Sequence, residues 1–247
     1  LPEQFNQMYQ TIRTFIRPEI KIADLIFENP YLLLLLEHFN LDLVMHDKTV
    51  SQICRENEID ENTFILFANL YNGYSATGIE KIDYHHIETI IHFLNNSHQY
   101  FKNDKYPEIQ GYISDLLQTD ASAEIKMIGY FFNDYFMEVT EHLNYEEKVA
   151  FPYFRSLLKT KIAEDAGIGL KFSSTEYLEH HTDIESKLTD LKNLLLKHIS
   201  LKNSPELRRK LIFSLIELEY VLNIHSIIEE EVLIPLVINR EKEVKIG

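Results

Sequence analysis

The sequence predicts an all-α protein in which a small helical domain, residues 1 to 72, precedes an up-down-up-down four-helix bundle, residues 79 to 247. Glycine and proline, which interrupt helices, occur only seven times each among 247 residues. Hydrophobic residues make up 45% of the chain, which is enough for a sizeable core. Beyond a turn-rich segment at residues 72 to 78, apolar residues recur at spacings of three and four along four long stretches. Four long helices with short or moderate connections predict the up-down-up-down order.

The N-terminal domain is predicted to consist of several short helices. Pro30 follows an asparagine, breaks one helix and starts another. The segment Asp47 to Thr49 is a suitable cap for a helix over Val50–Glu56, and Asp60 opens a further helix that reaches Leu70. These helices are short, so their stability must come from packing against one another.

Two features of this domain bear on its partners. Residues 49 to 67 resemble a helix-turn-helix in outline, but the second helix lacks basic residues and the chain carries a net charge of −15. We therefore predict no nucleic-acid partner. Residues 32 to 36, Phe39, Leu41 and Leu43 supply more apolar surface than so small a domain readily buries. This surface predicts a contact with the bundle or a homodimer.

The four long helices have approximate predicted bounds in chain order: residues 80 to 102 with a poorly defined continuation to 117, residues 121 to 152, a third from residue 173, and a fourth from residue 204. Ser173 and Glu176 form a capping box at the start of the third helix. Ser204 is the expected cap of the fourth, with Pro205 in its first turn. The fourth helix either runs past Pro235 or kinks there.

Each of the four predicted helices places one histidine in its apolar stripe: His98, His142, His181 and His225. His92 and His180 lie off the stripes of their helices, so the periodicity favours His98 and His181. The other histidines are interpreted as ordinary surface or packing residues: His38, His46, His85, His86 and His198.

Two eleven-residue stretches, residues 142 to 152 and residues 225 to 235, are near copies of each other 83 positions apart. Each places a histidine and a glutamate four residues apart, on one face of a helix. Glu146 and Glu229 are thereby predicted to be buried, and a buried carboxylate needs a partner or a metal. A single histidine in an apolar stripe is more often a hydrogen-bonded core residue than a ligand. Because six metal-ligand side chains converge in one bundle, the sequence favours a metal site.

We therefore predict six ligands for two metal ions, with both glutamates bridging: His98, His142, Glu146, His181, His225 and Glu229. Four imidazoles and two carboxylates suit iron or manganese better than structural zinc, which prefers thiolates and a closed tetrahedron. The predicted cofactor is an oxo- or hydroxo-bridged pair of iron or manganese ions, with zinc as a substitute. An open position on each metal would accept dioxygen, nitric oxide or peroxide. Ferritin-like di-iron proteins are the main alternative, but they use Glu-x-x-His pairs, which this sequence lacks.

The motifs resemble those of hemerythrin-like HHE proteins, and most closely the repair-of-iron-centres subgroup. The similarity rests on NNSHQYF around His98, EHHTDIESKL around His181, and the two repeats around His142 and His225. This resemblance implies a di-iron protein that restores damaged iron–sulfur clusters during nitrosative or oxidative stress, with damaged iron–sulfur proteins as partners. Reaction with nitric oxide or peroxide fits the same site. The alternative is an O2- or NO-binding or sensing module that signals through the N-terminal domain.

Two departures from the family pattern matter. The subgroup usually carries a paired-cysteine, glycine-rich stretch where this chain has residues 43 to 47. Oxygen-carrying hemerythrins place a second histidine four residues after the third-helix ligand, where this chain has Glu185. A thiol-dependent role and reversible oxygen carriage are therefore disfavoured, no catalytic residue is assigned, and enzymatic activity stays an open question.

Composition bears on the cellular setting. The single cysteine, Cys54, excludes an internal disulfide and fits a reducing compartment. The longest uninterrupted apolar run, residues 32 to 36, is too short to span a membrane, and no signal-peptide pattern is visible. We therefore expect a cytoplasmic protein without a membrane partner.

Overall fold

The structure is a computed structural model, and it describes residues 13–120, 122–158, 184–199 and 204–246. Within these ranges the regular structure is helical, with one isolated bridge between Lys21 and Thr49 and no strand. The all-α prediction is thus confirmed. The chain divides into two compact units, Leu1–Asn96 with Glu230–Leu236 (unit 1) and Ser97–Glu229 with Val237–Gly247 (unit 2). The predicted domain boundary at residues 72 to 79 stays a prediction.

Between residues 13 and 78, the described part of unit 1 contains four short helices: α1 Ile22–Glu28, α2 Leu32–His38, α3 Val50–Glu56 and α4 Glu61–Tyr71. The Thr49 side chain accepts a hydrogen bond from the backbone of Gln52, whose side chain accepts one from the Thr49 backbone in return. Asp60 caps α4 by accepting from the backbone N–H of Thr63 at 2.8 Å. Both predicted caps are therefore present, and α4 packs against α2 and α3.

The apolar run of α2 supplies much of the core of unit 1. Leu32, Leu35 and Leu36 are fully buried, whereas Leu43 remains 54% exposed. The ring of Phe39 packs against three further phenylalanines of the unit: Phe64, Phe67 and Phe93. Four of the eight apolar residues that predicted an external contact are therefore buried in the protein: Leu32, Leu35, Leu36 and Leu41. The homodimer stays a prediction.

The first long helix begins later than predicted and continues further. Short 3-10 turns occupy Ile79–Lys81 and Tyr84–His86, and α5 then spans Ile87–Tyr100. A π-helical turn at Phe101–Lys105 leads directly into α6, Tyr106–Thr119. The poorly defined continuation is thus a regular helix, entered through a widened turn.

The second long helix shows the same interruption. It comprises α7 (Ala123–Tyr145), a π-turn at Glu146–Ala150, and α8 (Phe151–Ser156). The predicted end near Pro152 was therefore too early.

The third and fourth helices are described in part. α9 spans Ile184–Lys197, and the predicted capping box at Ser173 lies outside the described residues. The fourth helix comprises α10 (Pro205–Ile227), a π-turn at Ile228–Leu233 and α11 (Ile234–Ile246).

Two expectations for the fourth helix have clear outcomes. Pro205 occupies the first turn as predicted, but the Ser204 side chain makes no capping bond. Its hydroxyl donates instead to the Thr119 hydroxyl, at 3.1 Å. The helix continues past Pro235 through the π-turn, so the sequence alternative of a continuing helix is the correct one.

Each π-turn is followed by a proline at the second position of the next α-helical segment: Pro107, Pro152 and Pro235. A proline inside an α-helix lacks an N–H donor, and its ring clashes with the carbonyl four residues earlier. The extra residue of a π-turn provides room at this point. The N–H of Phe151 donates five residues back to the carbonyl of Glu146, and the N–H of Tyr106 donates to that of Phe101. Such turns are rare and often mark functional sites.

Beyond Glu146 the buried face of the second helix differs from the predicted one. Continued from Glu146 at spacings of three and four, the apolar stripe predicts that Val149 and Tyr153 are buried, but Val149 is 40% exposed and Tyr153 is half-buried. Ala150 and Phe154 are buried in their place. The core positions are displaced by one residue because the π-turn inserts one residue into the helical repeat.

Within unit 2, α6 packs against α7 and α10, and α9 packs against the same two helices. By length and composition, the helix Pro205–Glu243 could also cross a membrane, although half of its most apolar window is buried within the protein. Core helices of soluble proteins pass the same test, so this finding is weak evidence for a membrane span.

Candidate metal centre

Four side chains of unit 2 meet in one buried group: His98, Glu146, His225 and Glu229. One potential ligand atom from each lies within 4.8 Å of the others. The histidines lie near the ends of α5 and α10, and the glutamates lie in the two π-turns that follow α7 and α10. Two imidazoles and two carboxylates at this separation could hold a metal ion.

The His98 ring is fully buried and is contacted by two consecutive glutamates. Its Nε2 lies 3.3 Å from Oε2 of Glu146, and its Nδ1 lies 3.0 Å from Oε1 of Glu147. The Phe151 ring stacks against it, with centroids 5.7 Å apart. The ring therefore has little freedom to turn.

His225 is also contacted at both ring nitrogens, but its outer partner is a hydroxyl group and not a carboxylate. Its Nδ1 lies 2.8 Å from the hydroxyl oxygen of Ser97, and its Nε2 lies 3.3 Å from Oε1 of Glu229. The Phe101 ring meets the imidazole edge to face, at 5.7 Å between centroids. Both imidazoles thus have Nδ1 bound to an outer partner and Nε2 directed at a glutamate.

The Nε2 atoms of His98 and His225 are buried and make no hydrogen bond. An unsatisfied buried polar atom costs on the order of 1–3 kcal/mol, and such atoms are uncommon in folded proteins. An ion between the imidazoles and the carboxylates would use both nitrogen lone pairs. The donor set therefore fits a metal.

His142 lies beside this group, and its side chain is 12% exposed. Its Nε2 is 2.9 Å from Oε1 of Glu146, while His98 approaches Oε2 of the same carboxylate. Glu146 thus has an imidazole at each oxygen, the arrangement expected of a bridging carboxylate. Of the six predicted ligands, four are gathered, His142 is adjacent, and His181 lies outside the described residues.

The charges of the group follow from its burial and from the close approach of imidazoles and carboxylates. Burial favours the neutral acid, but the imidazoles of His142 and His98 hold the pKa of Glu146 well below its usual range. Burial lowers the pKa of His98, but Glu146 and Glu147 outweigh it and raise that pKa. The hydrogen bond from His98 lowers the pKa of Glu147, burial opposes this shift, and the Lys102 ammonium lowers the pKa further. The result is a pKa of about 2. Both carboxylates are therefore ionised at neutral pH, as metal ligands and their partners must be.

Three outer residues were missed by the sequence reasoning: Ser97, Lys102 and Glu147. Glu147 follows Glu146 in the repeat, and Ser97 precedes His98, so both were visible as neighbours of ligands. Their roles depend on which helix faces which, and periodicity along one helix does not report this. The off-stripe placement of His92 agrees with the structure, in which this residue is exposed.

The fold and the site thus define an all-α protein with a buried histidine–carboxylate group. Comparisons with protein-family models, with curated proteins and with solved structures find no match for the chain.

Proposed function

We propose that this chain is a non-haem di-iron protein built on an up-down-up-down, hemerythrin-like four-helix bundle. The observation that carries the proposal is the buried group of His98, Glu146, His225 and Glu229, with donor atoms within 4.8 Å of one another. The packing of α6 and α9, each against both α7 and α10, supports the bundle. The resemblance of the sequence motifs to the HHE family supports the same reading.

Two metals are favoured over one because Glu146 has an imidazole at each oxygen. With Glu146 and Glu229 bridging, His142 and His181 would complete two ions that each have two histidines and two carboxylate oxygens. Iron is preferred because the set is all nitrogen and oxygen, with manganese and zinc as competing ions. The bound irons would supply redox chemistry toward nitric oxide, dioxygen or peroxide. The chain would hold the donors and exclude water around them.

The proposed role is the response to nitrosative or oxidative stress in the cytoplasm, through repair of iron–sulfur clusters or reaction with nitric oxide or peroxide. The buried donor group and the family resemblance support it together. Cys54 is buried, and burial, followed by the nearby carboxylates Glu61 and Asp60, raises the pKa of its thiol to about 12. A repair reaction in this chain would therefore depend on the metal centre, because this thiol is protonated at neutral pH.

Metal analysis of protein produced in iron-rich medium tests the centre. We expect close to two irons per chain, and loss of at least one in His98→Ala. His92→Ala is the matched control, since His92 is exposed on the same helix. Zero or one bound ion in the wild-type protein would contradict the two-metal proposal. Restoration of a damaged iron–sulfur enzyme by the iron-loaded protein, and not by the metal-free protein, would test the role.

A further inference from the structure

We propose that Glu147, held by Lys102, is a positioning residue that acts on the metal centre through His98. The inference rests on the proposed function only in that a metal must bind at the site. Glu147 directly follows the proposed ligand Glu146, so the two carboxylates approach opposite nitrogens of one imidazole. Glu146 faces the centre, and Glu147 lies behind the ring.

The hydrogen bond between His98 and Glu147 fixes the proton on the ring. An ionised carboxylate can only accept, so Nδ1 of His98 must be the donor at 3.0 Å. With the proton at Nδ1, the neutral imidazole presents its Nε2 lone pair to Glu146 and the centre. Metal-binding histidines commonly donate their second N–H to a carboxylate, which orients the ring and makes it a stronger ligand.

Lys102 determines where Glu147 can lie. Its ammonium donates to the same Oε1 atom at 2.8 Å and to the side-chain oxygen of Asn144 at 3.1 Å. The Lys102 side chain is only 15% exposed and that of Glu147 only 24%, so this ion pair is largely shielded from solvent. Lys102 and Glu147 lie in the π-turns Phe101–Lys105 and Glu146–Ala150. The two widened turns therefore hold His98 from behind.

The two buried imidazoles, His98 and His225, consequently differ in their outer partners. Behind His225, Nδ1 meets the neutral hydroxyl of Ser97 in place of a carboxylate. A charged acceptor forms a stronger hydrogen bond than a neutral one. We therefore infer that the centre is electronically asymmetric, with His98 the stronger donor, and that loss of Glu147 weakens metal binding more than loss of Ser97.

Competition with a chromophoric chelator measures the affinity of the full chain for Zn(II) and Co(II). We expect Glu147→Ala to weaken binding by about 10- to 100-fold. Glu147→Gln keeps an acceptor oxygen of the same shape and should retain part of that affinity, whereas Ser97→Ala should lose less than Glu147→Ala. Glu141→Gln, at an exposed position of α7, is the matched control and should bind like wild type. Thermal unfolding without metal establishes that each variant folds.

A spectroscopic measurement separates positioning from a merely structural role. In the Zn(II)-loaded protein, NMR should show a solvent-protected Nδ1–H on His98 that is lost in Glu147→Ala, and the visible spectrum of the Co(II) form should shift. A wild-type chain that binds the ions, with folded Glu147 variants of unchanged affinity and spectra, would overturn the inference and leave the metal centre standing. A wild-type chain that binds neither ion would overturn the metal centre, and the inference with it.

Discussion

The hydroxyl oxygen of Ser97 lies 2.8 Å from Nδ1 of His225, and the two residues are 128 positions apart in the chain. Ser97 is the neighbour of His98 on α5, so two adjacent residues of one helix have different roles at the centre. His98 is a proposed metal ligand, and Ser97 holds the imidazole of His225, the proposed ligand on α10. The first and the last helix of the proposed bundle therefore depend on each other at the centre.

Replacing Ser97 by alanine should destabilise the metal-free protein. The change leaves the buried Nδ1 of His225 without this partner, which costs on the order of 1–3 kcal/mol in the free energy of unfolding. Urea unfolding of the chelator-treated protein measures it. Ser156→Ala, at an exposed position, serves as the control. Equal stability of the Ser97 variant and the wild type would show that the contact contributes nothing.

Glu146→Gln should lower bound iron to less than half of the wild-type content. The amide is close in shape to the carboxylate but has no charge, and only one of its two terminal atoms can act as an acceptor or ligand. His98 and His142 would then face a neutral group in place of a shared anion. Iron analysis checks this, with Glu231→Gln as the exposed counterpart. Full iron content in Glu146→Gln would contradict a bridging role for this carboxylate.

Cys54 should not react with thiol reagents in the folded protein. Burial is the main reason that its pKa is raised to about 12, so at pH 8 the group is a neutral thiol and the nucleophilic thiolate is scarce. Ellman's reagent should label the native chain very slowly and the urea-unfolded chain quickly. Rapid labelling of the native protein would instead show that unit 1 opens readily around α3.

Lys105→Met should destabilise the protein across the neutral pH range. The Lys105 ammonium is 7% exposed and lies 2.6 Å from Oε2 of Glu108 and 2.7 Å from Oε1 of Glu217. Removing one partner of a buried ion pair costs about 3–5 kcal/mol, but both carboxylates are about one-third exposed, so we expect about 2 kcal/mol. Lys126→Met, at an exposed position, is the control.

The pH dependence of this ion-pair network follows from its pKa shifts. Burial favours the neutral form of each group, but the ion pair outweighs it, lowering the pKa of Glu108 and raising that of Lys105. The Glu108 contribution is present above the ordinary value of 4.5 and is lost as the pH falls through the lowered pKa. The Lys105 contribution is complete below 10.5 and is lost as the pH rises through the raised pKa. The difference between Lys105→Met and wild type should therefore form a plateau between these limits and shrink outside them. A difference that changes steadily across neutral pH would contradict this account.

The sequence predicted the all-α class. It also predicted that four metal-ligand side chains meet, because His98, Glu146, His225 and Glu229 all follow the apolar stripes of their helices. The prediction of buried positions was wrong beyond Glu146: the apolar stripe predicted that Val149 is buried, whereas the structure buries Ala150. The prolines were visible, but local sequence did not decide between a break, a kink and a widened turn.

Other contacts could not be predicted from the periodicity of a single helix. Glu147 and Lys102 meet only because two π-turns face each other across 45 positions of the chain. The side chain of Ser204 donates a hydrogen bond to Thr119, 85 positions away, and does not cap its own helix. Contacts of this kind depend on the packing of helices, which periodicity within one helix does not specify.

The two π-turns that carry Glu146 and Glu229 lie within equal intervals between a histidine and a proline. His142 precedes Pro152 by ten residues, and His225 precedes Pro235 by the same number. Removing one residue between Glu146 and Ala150 and closing the turn to an uninterrupted α-helix would leave Ala150 and Phe154 on the buried face, because the π-turn has displaced the core positions by one residue. The ring of Pro152 would then meet the carbonyl four residues earlier without the room that the π-turn provides. A one-residue deletion in this interval is therefore expected to destabilise the helix at Pro152, although every proposed ligand would still be present in the sequence.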